Sequence, residues 1–195
     1  KAIKRNKLIP NEIIYLDDKK NNVLKKRLYK LFTQFPKIKV KKFEGIKINK
    51  KISDYLLKKK EKCIVYSGYP GILVKNRIIK KKFFIHNHPG KLPKFKGSNT
   101  IFYSLLLEKT IFCSTIILNS NIDEGDILFE KKYEIPKKIS DIDSDYDNLI
   151  RSKNLIYVLK NFYKLKKKRQ TKNYKIPYFV IHPLLRSKVL MKKNK

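Results

Sequence analysis

Short apolar runs, most of them ending at a loop that contains Gly or Pro, alternate along this chain with stretches of helical periodicity. Ile13-Ile14-Tyr15-Leu16, Cys63-Ile64-Val65-Tyr66, residues 82–86, Phe112 to Leu118 and Ile127 to Ile135 have the β-branched and aromatic composition of strands. Ile38 to Phe43 alternates as a half-exposed strand does. Between them, Asp17-Asp18 can cap a basic helix running to about Phe32, with Val23, Leu24, Leu28, Leu31 and Phe32 on one side and Pro36 as its stop. Residues 52–57 and 100–107 read as short helices, the second capped by Ser98 or Asn99, and residues 143–163 as a long one. Such alternation buries its apolar faces as an α/β fold: an open, mainly parallel twisted sheet flanked by helices, parallel in its first part. Because the chain begins with Lys1, the domain is expected to be N-terminally incomplete, short of its first strand. Residues 1–136 are expected to form this domain, and 137–195 a C-terminal helix with a short basic extension that includes a linker at 164–173.

The formal net charge of +33 invites a nucleic-acid reading. Against it, the lysines are spread over the whole chain, arginine is scarce, and Lys, Ile, Asn, Tyr and Phe are abundant beside a single alanine. Lysine is therefore read as the default surface residue, with attraction of an anionic substrate as a secondary role. No apolar run approaches the ~18 residues of a membrane span, and the basic start lacks the apolar region of a secretion signal, so a cytoplasmic protein is expected. Cys63 and Cys113 sit in strand-like runs and suit buried thiols. No His/Cys cluster has metal-ligand spacing in the sequence. His182, in a His-Pro step without a nearby acidic partner, reads as structural.

Two segments carry chemistry. The run His86-Asn87-His88-Pro89-Gly90-Lys91-Leu92-Pro93-Lys94-Phe95-Lys96-Gly97 follows a strand and holds two of the three histidines. Downstream, Asp123-Glu124-Gly125-Asp126-Ile127 places a carboxylate in a tight turn between two β-rich runs. An imidazole and a carboxylate at strand ends can meet over one cleft, where a carboxylate orients the ring and stabilises its charged form for proton transfer. A third loop, Ser67 to Leu73, also follows a strand and lacks the Gly-x-Gly-x-x-Gly spacing of a dinucleotide fingerprint.

The pair of motifs, in this order, resembles the formyltetrahydrofolate-dependent formyltransferases, which include glycinamide ribonucleotide, methionyl-tRNA and sugar N-formyltransferases. His88-Pro89-Gly90-Lys91-Leu92-Pro93 through Gly97 is similar to that family's His-Pro-Ser-Leu-Leu-Pro-x-x-x-Gly loop, and Asp123-Glu124-Gly125-Asp126-Ile127 to its Asp-x-Gly-x-Ile turn. The likeness covers about residues 62–136. It implies a Rossmann-like formyltransferase domain, with His88 and Asp123 in the places of the catalytic histidine and aspartate. The family's asparagine two places before the histidine is His86 here, and Asn87 cannot stand in for it, because neighbouring strand residues point to opposite faces. Gly71, Ile72 and Leu73 occupy the places of the pterin-binding loop. The resemblance implies formyltetrahydrofolate as donor and, as acceptor, an amino sugar linked to a nucleotide, with room for a homodimer. Methionyl-tRNA formylation and a non-catalytic basic binding protein of the same fold are the alternatives.

Overall fold

The computed structural model describes residues 5–18, 37–68, 72–142, 145–171, 173–174 and 176–191. The basic helix expected after Asp17-Asp18 lies mostly outside them, as does Gly71. Six strands are described: β1 (Glu12–Asp17), β2 (Lys39–Glu44), β3 (Cys63–Val65), β4 (Phe83–His88), β5 (Ile111–Ile117) and β6 (Asp126–Tyr133). Among them lie helices α1 (Lys50–Leu57), α2 (Asn76–Ile79), α3 (Thr100–Glu108), α4 (Tyr146–Asn161) and α5 (Pro183–Leu190). β1 and β2 pair in parallel, and so do β3 and β4. β4–β5 and β5–β6 are antiparallel. The fold is α/β with an open sheet, parallel in its first part as expected, while its later strands reverse direction.

Local chemistry accounts for the element boundaries. Asn49 caps α1, its side-chain oxygen accepting from the Ile52 N–H at 3.0 Å. Neither Ser98 nor Asn99 caps α3 with its side chain. Asn99 takes a left-handed conformation (φ 52°), and its side-chain oxygen instead accepts from the Ile181 N–H at 3.2 Å. The expected capping is thus replaced by a tie to the C-terminal segment. α5 was not foreseen, although Pro183 at its first turn, after a cap at His182, is a helix-start signal. His182 is structural, its Nδ1 accepting from the Leu184 N–H at 3.3 Å.

The strand registers divide the four-stranded sheet into two faces. In β4, Ile85 and Asn87 point to the side covered by α4, where Ile85 packs with Val158 and Leu128. Asn87 is occupied there: its side-chain oxygen accepts from the Thr115 hydroxyl at 2.6 Å and its backbone carbonyl from Arg151 Nη1 at 2.7 Å. Phe84, His86 and His88 point to the opposite side, opposite Ile116 and Ser114 of β5. A core of Phe43, Ile48, Ile52, Leu56, Val74 and Ile78 covers the Phe84 end of that face and ties β1–β2 to the larger sheet. The His86–His88 end is left to loops.

Tyr66, just beyond β3, lies edge-on to Phe84 with ring centroids 6.0 Å apart. Its hydroxyl is buried with no hydrogen-bond partner among the described residues, and burial pushes its pKa up. A buried unpaired hydroxyl costs about 1–3 kcal/mol. Tyr66→Phe is therefore expected to raise stability by about 1 kcal/mol, read as an upward shift in the urea midpoint at unchanged slope. A drop in the midpoint would show that the hydroxyl has a partner in solution.

Two sequence readings need correction. Cys63 is exposed, because β3 is a short edge strand, while Cys113 is fully buried in the central strand and its thiol is pushed up to about 12 by burial. Lys82 and Lys96, read as surface residues, are buried. The Lys82 ammonium donates to the carbonyls of Lys59 (2.5 Å) and Glu61 (2.7 Å), and Lys96 pairs with Glu124. Among the described residues, no helix is long and apolar enough to cross a membrane.

Candidate active site

His88 closes β4 and is only 2% exposed. The loop that follows wraps back over it. Gly90 permits that close wrap, since a Cβ there would sit 2.6 Å from the Phe95 carbonyl oxygen and 2.9 Å from His88 Nε2. Leu92 anchors the loop by packing on Ile116 and Ile127, and its N–H donates to Glu130 at 3.1 Å. As a result His88 Nε2 lies 2.6 Å from the Phe95 carbonyl and 3.2 Å from the Thr100 hydroxyl. The Thr100 hydroxyl itself donates to the Pro89 carbonyl at 2.8 Å. A carbonyl can only accept, so the partners assign a proton to Nε2.

The other ring nitrogen faces the downstream turn. His88 Nδ1 lies 3.3 Å from Asp123 Oδ2, and both side chains are largely buried. The two residues that the sequence separates widely are thus brought together. Asp123 adopts φ 53°, a conformation that Asp tolerates in turns, and its Oδ2 accepts from the Gly97 N–H at 2.9 Å.

His86 completes the cluster. One ligand-type atom from each of His86, His88 and Asp123 lies within 4.8 Å of the other two. His86 Nδ1 is 3.1 Å from the Tyr66 carbonyl, which assigns the proton to Nδ1 and leaves Nε2 as a lone pair. Burial lowers its pKa below the ordinary imidazole value, with the nearby His88 and Arg151 in the same direction and the Tyr66 carbonyl and Asp123 opposed. The neutral ring therefore cannot donate toward the cleft as an asparagine amide would. It is half-buried, more open than His88.

The C-terminal segment supports this cluster in a way sequence reading missed. Residues expected to be a linker dock on β6: the Ile127 N–H donates to the Lys168 carbonyl at 2.9 Å, and Lys168 returns the bond at 2.8 Å. Gln170 Nε2 then donates to the carbonyls of Asp123 (2.8 Å) and Gly125 (2.7 Å), holding the acidic turn from behind. Tyr178 bridges the other loop, exchanging backbone bonds of 2.8 Å with Lys96 and Ser98. No sequence motif marks these contacts; only the fold shows them.

Of the third loop, Ile72 is half-buried and Leu73 is 48% exposed, beyond the end of β3. They present apolar surface to solvent.

No family model and no curated protein matches the chain. Solved structures do. A 4-N formyltransferase from Francisella tularensis superposes with a TM-score of 0.63 at 13% identity, over 93% of this chain and 86% of that one. A sugar N-formyltransferase from Shewanella sp FDAARGOS_354 gives 0.60 at 15% identity, over 92% and 86%. The formyltransferase PseJ from Anoxybacillus kamchatkensis, solved with UDP-4,6-dideoxy-4-formamido-L-AltNAc and tetrahydrofolate, gives 0.55 at 18% identity, over 86% and 84%. The chain has the fold of the sugar N-formyltransferases, with a His-His-Asp cluster at its candidate active site.

Proposed function

We propose that this chain transfers a formyl group from formyltetrahydrofolate to the amine of a nucleotide-linked amino sugar. The observation that carries the reading is the buried His88–Asp123 pair, 3.3 Å apart at two loop ends, on a formyltransferase fold. When bound, formyltetrahydrofolate supplies an activated formyl carbon, for which the acceptor amine gives up a proton and the donor nitrogen takes one. Ile72 and Leu73 suit its ring, being apolar and open to solvent at a strand end. Gly71 is the third residue of that loop in this proposal.

Each side chain of the cluster has a distinct task. His86 Nε2 holds a lone pair and takes the amine proton. His88, held between Asp123 and the Phe95 carbonyl, sets its ring where negative charge grows on the formyl oxygen. Asp123 orients that ring. The acceptor assignment draws on the UDP-sugar bound by PseJ and on a +33 chain that favours phosphate-bearing substrates.

The test is formyl consumption against a panel of nucleotide-linked amino sugars, with aminoacyl-tRNA as a parallel arm. Turnover of a sugar nucleotide supports the proposal. Turnover of the tRNA alone, with a steep salt dependence, would replace the acceptor. Folate that fails to bind at all would remove the reading.

Gln170 acts through Asp123 and is a positioning residue. Gln170→Ala removes two hydrogen bonds but also a buried side-chain oxygen with no partner among the described residues, so little net stability is lost. The freed turn is expected to lower kcat on the order of tenfold with KM nearly unchanged. An unaltered kcat would show that the acidic turn holds its place without Gln170.

A further inference from the structure

We infer that His86, His88 and Asp123 form a binding site for a divalent transition-metal ion, with zinc as the reference ion. This inference rests on the geometry of the cluster alone and stands whether or not the chain transfers formyl groups.

The argument begins with the second nitrogen of each ring. His86 Nδ1 donates to the Tyr66 carbonyl at 3.1 Å, and His88 Nε2 donates to the Phe95 carbonyl at 2.6 Å. Both donations lock a tautomer whose remaining nitrogen is a lone pair. A backbone carbonyl behind each imidazole is the usual support of a metal-ligating histidine. Asp123 has the matching support for a ligating carboxylate, the Gly97 N–H at 2.9 Å and the Gln170 clamp behind its turn.

The lone pairs converge. His88 Nδ1 and Asp123 Oδ2, two electron-rich atoms, face each other at 3.3 Å. Only a positive species can sit between them, either a second ring proton or a cation. Zinc bound by N and O donors at about 2.0–2.2 Å sets neighbouring ligand atoms roughly 3.3 Å apart in a tetrahedron. A ring nitrogen of His86 lies within 4.8 Å of ligand atoms of His88 and Asp123, so bringing its Nε2 lone pair onto the ion would close the set. Two histidines and one carboxylate with a remaining open position is a well-suited set for such an ion. Arg151, the nearest fixed positive charge named for His86, bonds the Asn87 carbonyl from the α4 face of the sheet.

The inference follows from the His86 substitution itself. An asparagine at that place offers an amide, a poor ligand for zinc, whereas the imidazole supplies the missing nitrogen. Ion binding and proton transfer then compete for the same lone pairs.

Isothermal titration of chelator-treated full chain with zinc, and visible absorbance on adding cobalt(II), test this directly. One ion per chain, a rise in melting temperature and tetrahedral cobalt bands are expected. His86→Asn and His88→Ala should each weaken zinc binding by at least tenfold, while His182→Ala, which alters the only other histidine, should not. Circular dichroism confirms that the His86→Asn chain is folded, should His88→Ala prove unstable. The absence of saturable zinc binding, or binding that survives loss of either His86 or His88, overturns the inference. Neither readout requires formyl transfer, so a chain that binds zinc but shows no turnover would count against the proposed function only.

Discussion

Replacing His88 with alanine is expected to lower formyl transfer ~10²–10³-fold, the usual worth of a group that stabilises charge developing in the transition state. The effect should be large, because the His88 ring joins the two loops of the cluster. Its Nδ1 meets Asp123, and its Nε2 meets the Phe95 carbonyl. Removing the ring leaves that carbonyl without its partner and the carboxylate with the Gly97 N–H, which also costs about 1–3 kcal/mol of stability. Rates must therefore be taken well below the melting temperature and normalised to folded protein by circular dichroism. Asp123→Asn separates the two contributions: it keeps the shape of the turn and removes the charge, so its loss should appear in kcat with little change in melting temperature. Undiminished activity in folded His88→Ala protein would refute the assignment of this cluster as the reacting site.

The sequence made part of this arrangement readable and concealed the rest for physical reasons. Strand ends and turns are local: the apolar run through Ile85 and the Asp-x-Gly turn at Asp123 are written in neighbouring residues, so the two loops could be placed. Opposite orientation of Asn87 and His88 follows from the strand period, and Asn87 does face Thr115 and the α4 side. What could not be read depends on contacts between distant segments. The tautomers of His86 and His88 are set by the carbonyls of Tyr66 and Phe95, and a residue's type does not say which carbonyl it will meet. Gln170 and Tyr178 sit in a lysine-rich stretch with no strong periodicity, yet each bonds a loop of the cluster. The reversed direction of β5 against β4 was equally hidden, because strand polarity is decided by the connection through α3 and not by composition. Burial of Lys82 runs against its residue type and is made tolerable by two backbone acceptors.

Gly125→Ala is expected to cost about 3 kcal/mol of stability, at the upper end of overpacking effects, and to damage the site further than that loss alone explains. A Cβ at Gly125 would stand 1.7 Å from the Ile117 carbonyl oxygen and 2.7 Å from its carbon, both backbone atoms at the end of β5. That strand is held on both sides, by β4 and by β6, so it cannot yield. The turn must move instead. It carries Asp123 two residues away, and the Gly125 carbonyl is one of the two acceptors that Gln170 grips. Displacement would therefore draw the carboxylate from His88 and from the Gly97 N–H together. Gly45→Ala is the control, since Gly45 has a positive φ of 110° with nothing within 4 Å of the added atom. There only backbone strain of about 1 kcal/mol is expected, with no effect on turnover. Urea unfolding of the two variants compares these costs. Equal, mild losses would mean that the Asp123 turn is not pressed against β5, and that the carboxylate owes its place to the docked C-terminal segment alone.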